Sequence, residues 1–172
     1  DMVAMARPML ADPDWVNKAA AGQADEINTC IGCNQACLDN TFALQRASCL
    51  VNPQACYETE LVYEPTQQRK RLAVVGAGPA GMSFAQVAAL RGHEVTVFDE
   101  ADVIGGQFNV AKQVPGKEEF HETLRYFDRM FHKHGVKRVL GRRVGADDLR
   151  DFDEVILATG IVPRALDIPG ID

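Results

Sequence analysis

One stretch limits the possible folds more than any other. Leu72-Ala-Val-Val75 is a short apolar run of the kind buried in a parallel sheet. Gly76-Ala-Gly-Pro-Ala-Gly81 follows it and opens an Ala-rich helix predicted over Met82 to Arg91, which Gly92 closes. Glu94-Val-Thr-Val-Phe98 reads as a second strand, ending at Asp99-Glu100. Together these form a strand–helix–strand unit of about 30 residues, the length a parallel crossover needs. An amphipathic helix over 117–134, with Phe120, Leu124, Phe127, Met130 and Phe131 on one face, and strands at Val136 to Leu140 and Glu154 to Ala158 extend the alternation. The expected class is α/β with an open parallel sheet.

The glycine spacing means little alone, but it lies between a strand and a helix, and an acid closes the next strand. Gly76 permits the tight turn, Gly78 lets the backbone approach a pyrophosphate, and Gly81 lets helix and strand pack closely. The helix N-terminus offers amide donors to phosphates. Asp99 is placed to hold ribose hydroxyls, with Glu100 as runner-up. A glycine turn without a ligand is the plain alternative.

All five cysteines fall between positions 30 and 56. Cys30-Ile-Gly-Cys33-Asn-Gln-Ala-Cys37 and Cys49 give the spacing C-x2-C-x3-C-x11-C. A secreted disulfide framework would spread its cysteines more widely, so the clustering reads as a metal site in a reducing cytosol. Gly32 lets the loop fold back. Four thiolates suit a [4Fe–4S] cluster. Structural zinc also takes four thiolates, but zinc motifs usually come as two knuckles, and Cys49 stands alone. Cys56 is expected to be a buried spare thiol, and the substitute ligand if Cys49 is not one.

The 172 residues carry a net charge of −6, which argues against a nucleic-acid or anionic-membrane surface. Arg69-Lys70-Arg71 and the stretch from Lys137-Arg138 to Arg142-Arg143 read as solvated edges. No apolar run approaches the ~20 residues of a membrane span, and no signal peptide opens the chain. A cytoplasmic location is expected. Residues 2 to 6 are apolar and predict a short buried strand. Asp12-Pro13 predicts a helix start, continued by Trp15 to Ala21 and closed by Gly22. The polar stretch 57–69 reads as a connector. Both ends look cut, with Ile168-Pro-Gly-Ile-Asp172 resembling a link onward.

The chain resembles the NADPH-dependent 2,4-dienoyl-CoA reductase branch of the Old Yellow Enzyme-like iron–sulfur flavoproteins. The resemblance lies in Met5-Ala-Arg-Pro-Met-Leu-Ala-Asp-Pro13, in Asn28-Thr-Cys-Ile-Gly-Cys-Asn-Gln-Ala-Cys-Leu-Asp39, and in Cys49-Leu-Val-Asn-Pro53. It continues in the stretch from Gly105-Gly-Gln107 to Phe120, while Gly105-Gly-Gln107 and Val155-Ile-Leu-Ala-Thr-Gly160 resemble the two-dinucleotide flavoprotein reductases more widely, in which the first such fold binds FAD. It implies three parts. Residues 1–27 would end a flavin-binding (β/α)8 barrel, with Ala6 and Arg7 at the FMN phosphate; a structural salt bridge is the alternative role for Arg7. Residues 28–70 would be the cluster segment and linker, with Cys30, Cys33, Cys37 and Cys49 as ligands. Residues 71–172 would be the first part of a Rossmann-like FAD-binding domain, with Gly76, Gly78, Ala80, Gly81, Asp99, Gly106, Gln107 and Val144 at the FAD.

The implied activity is an electron relay from NADPH through FAD and the cluster to FMN. It would reduce a 2,4-dienoyl-CoA or similar activated alkene. No catalytic residue is assigned within these residues, and His93, His121, His132 and His134 read as surface positions. Two alternatives remain. One is an amine dehydrogenase related to trimethylamine dehydrogenase, with ADP in the nucleotide fold, although that branch spaces its third cysteine one residue closer. The other is a non-enzymatic electron-transfer or nucleotide-binding module.

Overall fold

The computed structural model describes residues 2–164 and 168; the expected onward link at the C-terminal end lies largely outside them. Four strands form one wholly parallel sheet: β1 (Arg71–Val75), β2 (Glu94–Phe98), β3 (Lys137–Val139) and β4 (Glu154–Leu157). Their order is β3-β2-β1-β4. Leu72 stands opposite Val95 on one side and Glu154 on the other. The chain thus builds outward from β1 through β2 to β3, then returns to the far side of β1. Such a reversal leaves a crevice at the carboxyl ends of the two central strands, where open α/β sheets bind ligands.

Among the described residues the helices are α1 (Arg7–Ala11), α2 (Trp15–Ala20), α3 (Asn40–Phe42), α4 (Pro79–Leu90), α5 (Phe108–Ala111) and α6 (Phe120–His134), with a π-helical turn at Gln35–Asp39 that runs into α3 and 3₁₀ turns at Ala24–Glu26 and Ala146–Leu149. The core is the layer between the sheet and the α4–α6 pair. Val74, Val95, Val97, Met82 and Phe131 are its largest fully buried side chains. Helix α6 supplies Phe127, Met130 and Phe131 to that core, as its 3.6-residue periodicity predicts. It starts three residues later than expected, where Phe120 stacks on Phe108 at 4.5 Å. Gly135, in the left-handed conformation at φ 68°, ends it.

Two expectations near the start of the chain are corrected. Residues 2 to 6 form no strand, and Met2 is 96% exposed. A buried strand requires a neighbour to pair with, and none of the four strands lies beside these residues. Asp12 does not cap a helix from Pro13 either. Helix α2 begins at Trp15, and Asp12 turns inward, where it is only 3% exposed. The basic clusters lie at the surface as expected, in pairs such as Lys137–Glu94 at 2.6 Å and Arg143–Glu100 at 3.5 Å. Among the described residues no helix is long and apolar enough to cross a membrane.

Candidate functional site: a cysteine cavity and a nucleotide groove

Polar side chains fold the segment before β1 around its cysteines. Buried Asp12 accepts from three donors: the backbone N–H of Asp14 at 3.1 Å, the N–H of Asn28 at 2.8 Å, and Nζ of Lys18 at 2.6 Å. Asn28 in turn donates its amide to the Val51 carbonyl at 2.6 Å, and Asn52 donates to the Leu10 carbonyl at 2.8 Å. Ser48 N–H donates to the Ala36 carbonyl at 2.8 Å. These bonds join α1, the approach to Cys30, the turn before Cys37 and the turn after Cys49.

Cys30, Cys33, Cys37 and Cys49 consequently line a single small cavity, together with Arg7, Leu10, Ile31, Asn34, Ala36, Leu50 and Val51. Two residues take left-handed backbone to close the loop: Gly32 at φ 65° and Asn34 at φ 60°. Asparagine tolerates that conformation better than other side-chain-bearing residues. All four thiols are free and half-buried. Burial pushes the Cys49 thiol up, against hydrogen bonds from Val51 and Asn52; neighbouring Cys30 and Cys33 push the same way. A cationic centre would reverse that preference, because thiolates are what metals bind. Cys56 is half-buried rather than buried and lies outside the cavity, on a turn with φ 63° whose N–H donates to Glu58 Oε1.

Four thiols are a donor set for soft and borderline metals. Tetrahedral zinc, with Zn–S bonds of about 2.3 Å, draws its four sulfurs to within about 3.8 Å of one another. Among the described residues no three His, Cys, Asp or Glu side chains are arranged to hold one metal ion. Four thiols around one cavity meet the four-cysteine complement of a [4Fe–4S] cluster as well as that of structural zinc.

The glycine turn makes the second site. A Cβ on Gly81 would lie 1.9 Å from the Gly76 carbonyl oxygen, so α4 packs directly on the turn. A Cβ on Gly76, at φ 110°, would lie 2.2 Å from the Ala158 carbonyl oxygen, so the turn also abuts the end of β4. A Cβ on Gly78, by contrast, would meet nothing within 4 Å. That open space lies at the N-terminus of a 12-residue helix, where the first N–H groups lack intrahelical partners. Ala80 sits exposed in the same first turn. Gly106, at φ 51°, comes so close to Gly78 that its Cβ would be 3.1 Å from the Gly78 Cα. Gln107 donates to the Ile161 carbonyl at 2.9 Å.

Asp99 accepts from Ala77 N–H at 2.6 Å and Ala101 N–H at 2.8 Å, one bond to each oxygen. The carboxylate is thereby aimed across the turn with lone pairs to spare. A groove of about 630 Å³ runs from Gly76 past Asp99 and Glu100 to Arg142, Val144 and Leu149, and back along Leu157, Thr159 and Gly160. That volume is within the usual range for cofactor sites. Gly76, Asp99 and Val144 line the groove, while Gly78, Ala80, Gly81, Gly106 and Gln107 form the glycine notch beyond its lining. Ala6 and Arg7 are elsewhere: Arg7 Nη1 donates to Asn34 Oδ1 at 2.5 Å, beside the cysteines.

The family profile described as Pyridine nucleotide-disulphide oxidoreductase matches residues 70–172, more than half of the chain. The chain belongs to this family. Among its relatives, a metal reductase of Desulforamulus reducens is 41% identical over 98% of the chain. A 2-naphthoyl-CoA reductase structure superposes on 97% of the chain, with a TM-score of 0.93 and 37% identity. A histamine dehydrogenase structure from Rhizobium sp. 4-9 covers 95% of the chain, with a TM-score of 0.87 and 28% identity. The chain spans about a quarter of the length of each: 26% of the first two and 25% of the third. The likeness extends well upstream of residue 70, into the cysteine segment.

Several residues that shape these sites had no part in them assigned from sequence. Asp12, Asn28 and Asn52 lie inside the stretches that carry the resemblance, yet only the fold shows what they hold together. Glu26 is another, 3% exposed and paired with α6.

Proposed function

We propose that this chain is the electron-relaying section of an NAD(P)H-dependent iron–sulfur flavoprotein reductase. The observation that carries this reading is the convergence of Cys30, Cys33, Cys37 and Cys49 on one cavity in a chain whose other half is a Rossmann-like nucleotide fold. The four thiolates hold a [4Fe–4S] cluster. Gly76, Gly78, Ala80, Gly81, Gly106 and Gln107 cradle the pyrophosphate and flavin side of FAD, Asp99 binds its ribose, and Val144 borders its adenine end. When bound, a one-electron cluster next to a flavin lets electron pairs from a nicotinamide be passed on singly.

Residues 1–27 would then close an FMN-binding (β/α)8 barrel, 28–70 carry the cluster, and 71–172 begin the FAD domain. Ala6 and Arg7 would border the FMN phosphate, and the Arg7–Asn34 bond would link that phosphate loop to the cluster loop. The substrate we infer for the whole protein is an enoyl or aryl thioester, a 2,4-dienoyl-CoA or a similar activated alkene. The likeness to 2-naphthoyl-CoA reductase supports it. A second reading, an amine dehydrogenase with ADP in the groove, is favoured by the histamine dehydrogenase likeness, at lower identity.

Anaerobic loading with iron and sulfide, followed by absorption and electron paramagnetic resonance spectra and assays of iron and acid-labile sulfide, tests the cluster. A colourless protein with stoichiometric zinc overturns it. Extraction of the bound nucleotide separates the two enzyme readings: FAD supports the reductase and ADP the dehydrogenase.

A further inference from the structure

Arg125, Arg129 and Lys133 recur every four residues along α6, so they share one face of the helix. The opposite face, Phe127, Met130 and Phe131, is sealed into the core. The cationic face grips the short 3₁₀ turn Ala24–Glu26 that leads into the cysteines. Arg125 donates to the carbonyls of Asp25 at 2.5 Å and Ile27 at 2.9 Å. Arg129 Nε lies 2.8 Å from Asp25 Oδ2 as an ion pair rather than a directed hydrogen bond, and its Nη2 donates to Glu26 Oε1 at 2.9 Å. Lys133 Nζ donates to Glu26 Oε2.

Both oxygens of an almost wholly buried carboxylate are therefore held by one helix. A buried ion pair contributes little net stability against its desolvation cost, but it punishes any geometry that separates the partners. Its effect here is positional. Glu26 precedes Cys30 by four residues, α6 packs on α4, and the first turn of α4 forms the glycine notch.

We propose that Glu26 is a positioning residue that fixes the cysteine cavity relative to the nucleotide groove and so sets the rate of electron passage between them. This rests on the cluster and FAD assignments above. The step is transfer of one electron from reduced flavin, which is oxidised and releases a proton to water, to the cluster, which is reduced. The reductant is a reduced nicotinamide.

The test uses the anaerobic holoprotein and its Glu26→Gln variant. Flavin is reduced in a stopped-flow instrument and the appearance of reduced cluster is timed. The variant is expected to keep its iron, sulfide, FAD and cluster potential while the transfer rate falls about tenfold, since small misplacements cost rate steeply. Faster hydrogen exchange at residues 24–30 accompanies the fall, and Arg129→Lys, which keeps the charge, stays near the parent rate. If Glu26→Gln does not fold, Lys133→Met removes one arm of the grip and is read the same way. A fully loaded variant with an unchanged transfer rate overturns the proposal alone. A parent protein with no iron–sulfur spectrum instead overturns the cluster assignment beneath it.

Discussion

The side-chain amide of Asn28 donates to the carbonyl of Val51 at 2.6 Å, tying the approach to Cys30 to the exit from Cys49. The two cysteines are far apart in sequence, and this bond spans the gap between their flanks. Asn28 also takes its backbone partner from Asp12, so one buried residue anchors both halves of the cavity to α1.

Replacing Asn28 with Ala should remove that tie and leave a part-buried carbonyl without its donor. The expected cost is about 1 kcal/mol. Chemical denaturation of the protein measures it, and iron retention after gel filtration should fall in parallel. Unchanged iron content would show that Asn28 is not what aligns Cys30 with Cys49.

The cavity lining predicts a clean division among the cysteines. Cys49→Ser should abolish or convert the iron–sulfur spectrum, whereas Cys56→Ser should leave spectrum and iron content unchanged. The reverse result would make Cys56 the fourth ligand.

Two glycines of one motif should fail in different ways. Gly81→Ala places a methyl 1.9 Å from a backbone oxygen, so the thermal midpoint should drop sharply whether or not nucleotide is present. Gly78→Ala meets no protein atom, so stability should change little. Its methyl would occupy the space offered to the pyrophosphate, and FAD affinity by fluorescence titration should weaken at least about tenfold.

The grip on Glu26 has a pH signature. The hydrogen bond from Lys133, aided by Arg129, holds its carboxyl below the usual carboxylate range against opposing burial. A depressed carboxyl adds stability that is present above its unfolded pKa and is lost as pH falls through the folded value. Below pH ~4.5 the turn 24–26 should loosen progressively from α6, visible as rising hydrogen exchange. Asp25, Arg125, Arg129, Lys133 and His134 face the same pocket of charge, so the Glu26→Gln variant is the control: its exchange should lose that acid-dependent component.

Much of the nucleotide fold was legible because its signals are local. Gly92 and Asp99 bracket β2, and the observed strand Glu94–Phe98 matches the one expected. The cysteine loop was legible for the same reason: three of its four thiols lie within one turn of chain. Glu26 was not, because its partner Arg129 lies 103 positions away and nothing near Glu26 marks it as different from a surface acid. The readable trace was on the other side, in three cations at helical spacing opposite an aromatic stripe. Residues 2 to 6 misled because a five-residue apolar run specifies no partner, and a strand exists only in a pair.

The side chains of Asp12, Asn28 and Asn52 and the backbone N–H of Ser48 tie the walls of the cysteine cavity together through oxygen and nitrogen. The walls of the cavity are thus tied to one another by contacts separate from the four thiols. In a small zinc finger the metal organises the chain as it binds. If the proposed cluster binds here, less of the chain would be left for it to order, so part of the cost of binding would already be met by these polar ties.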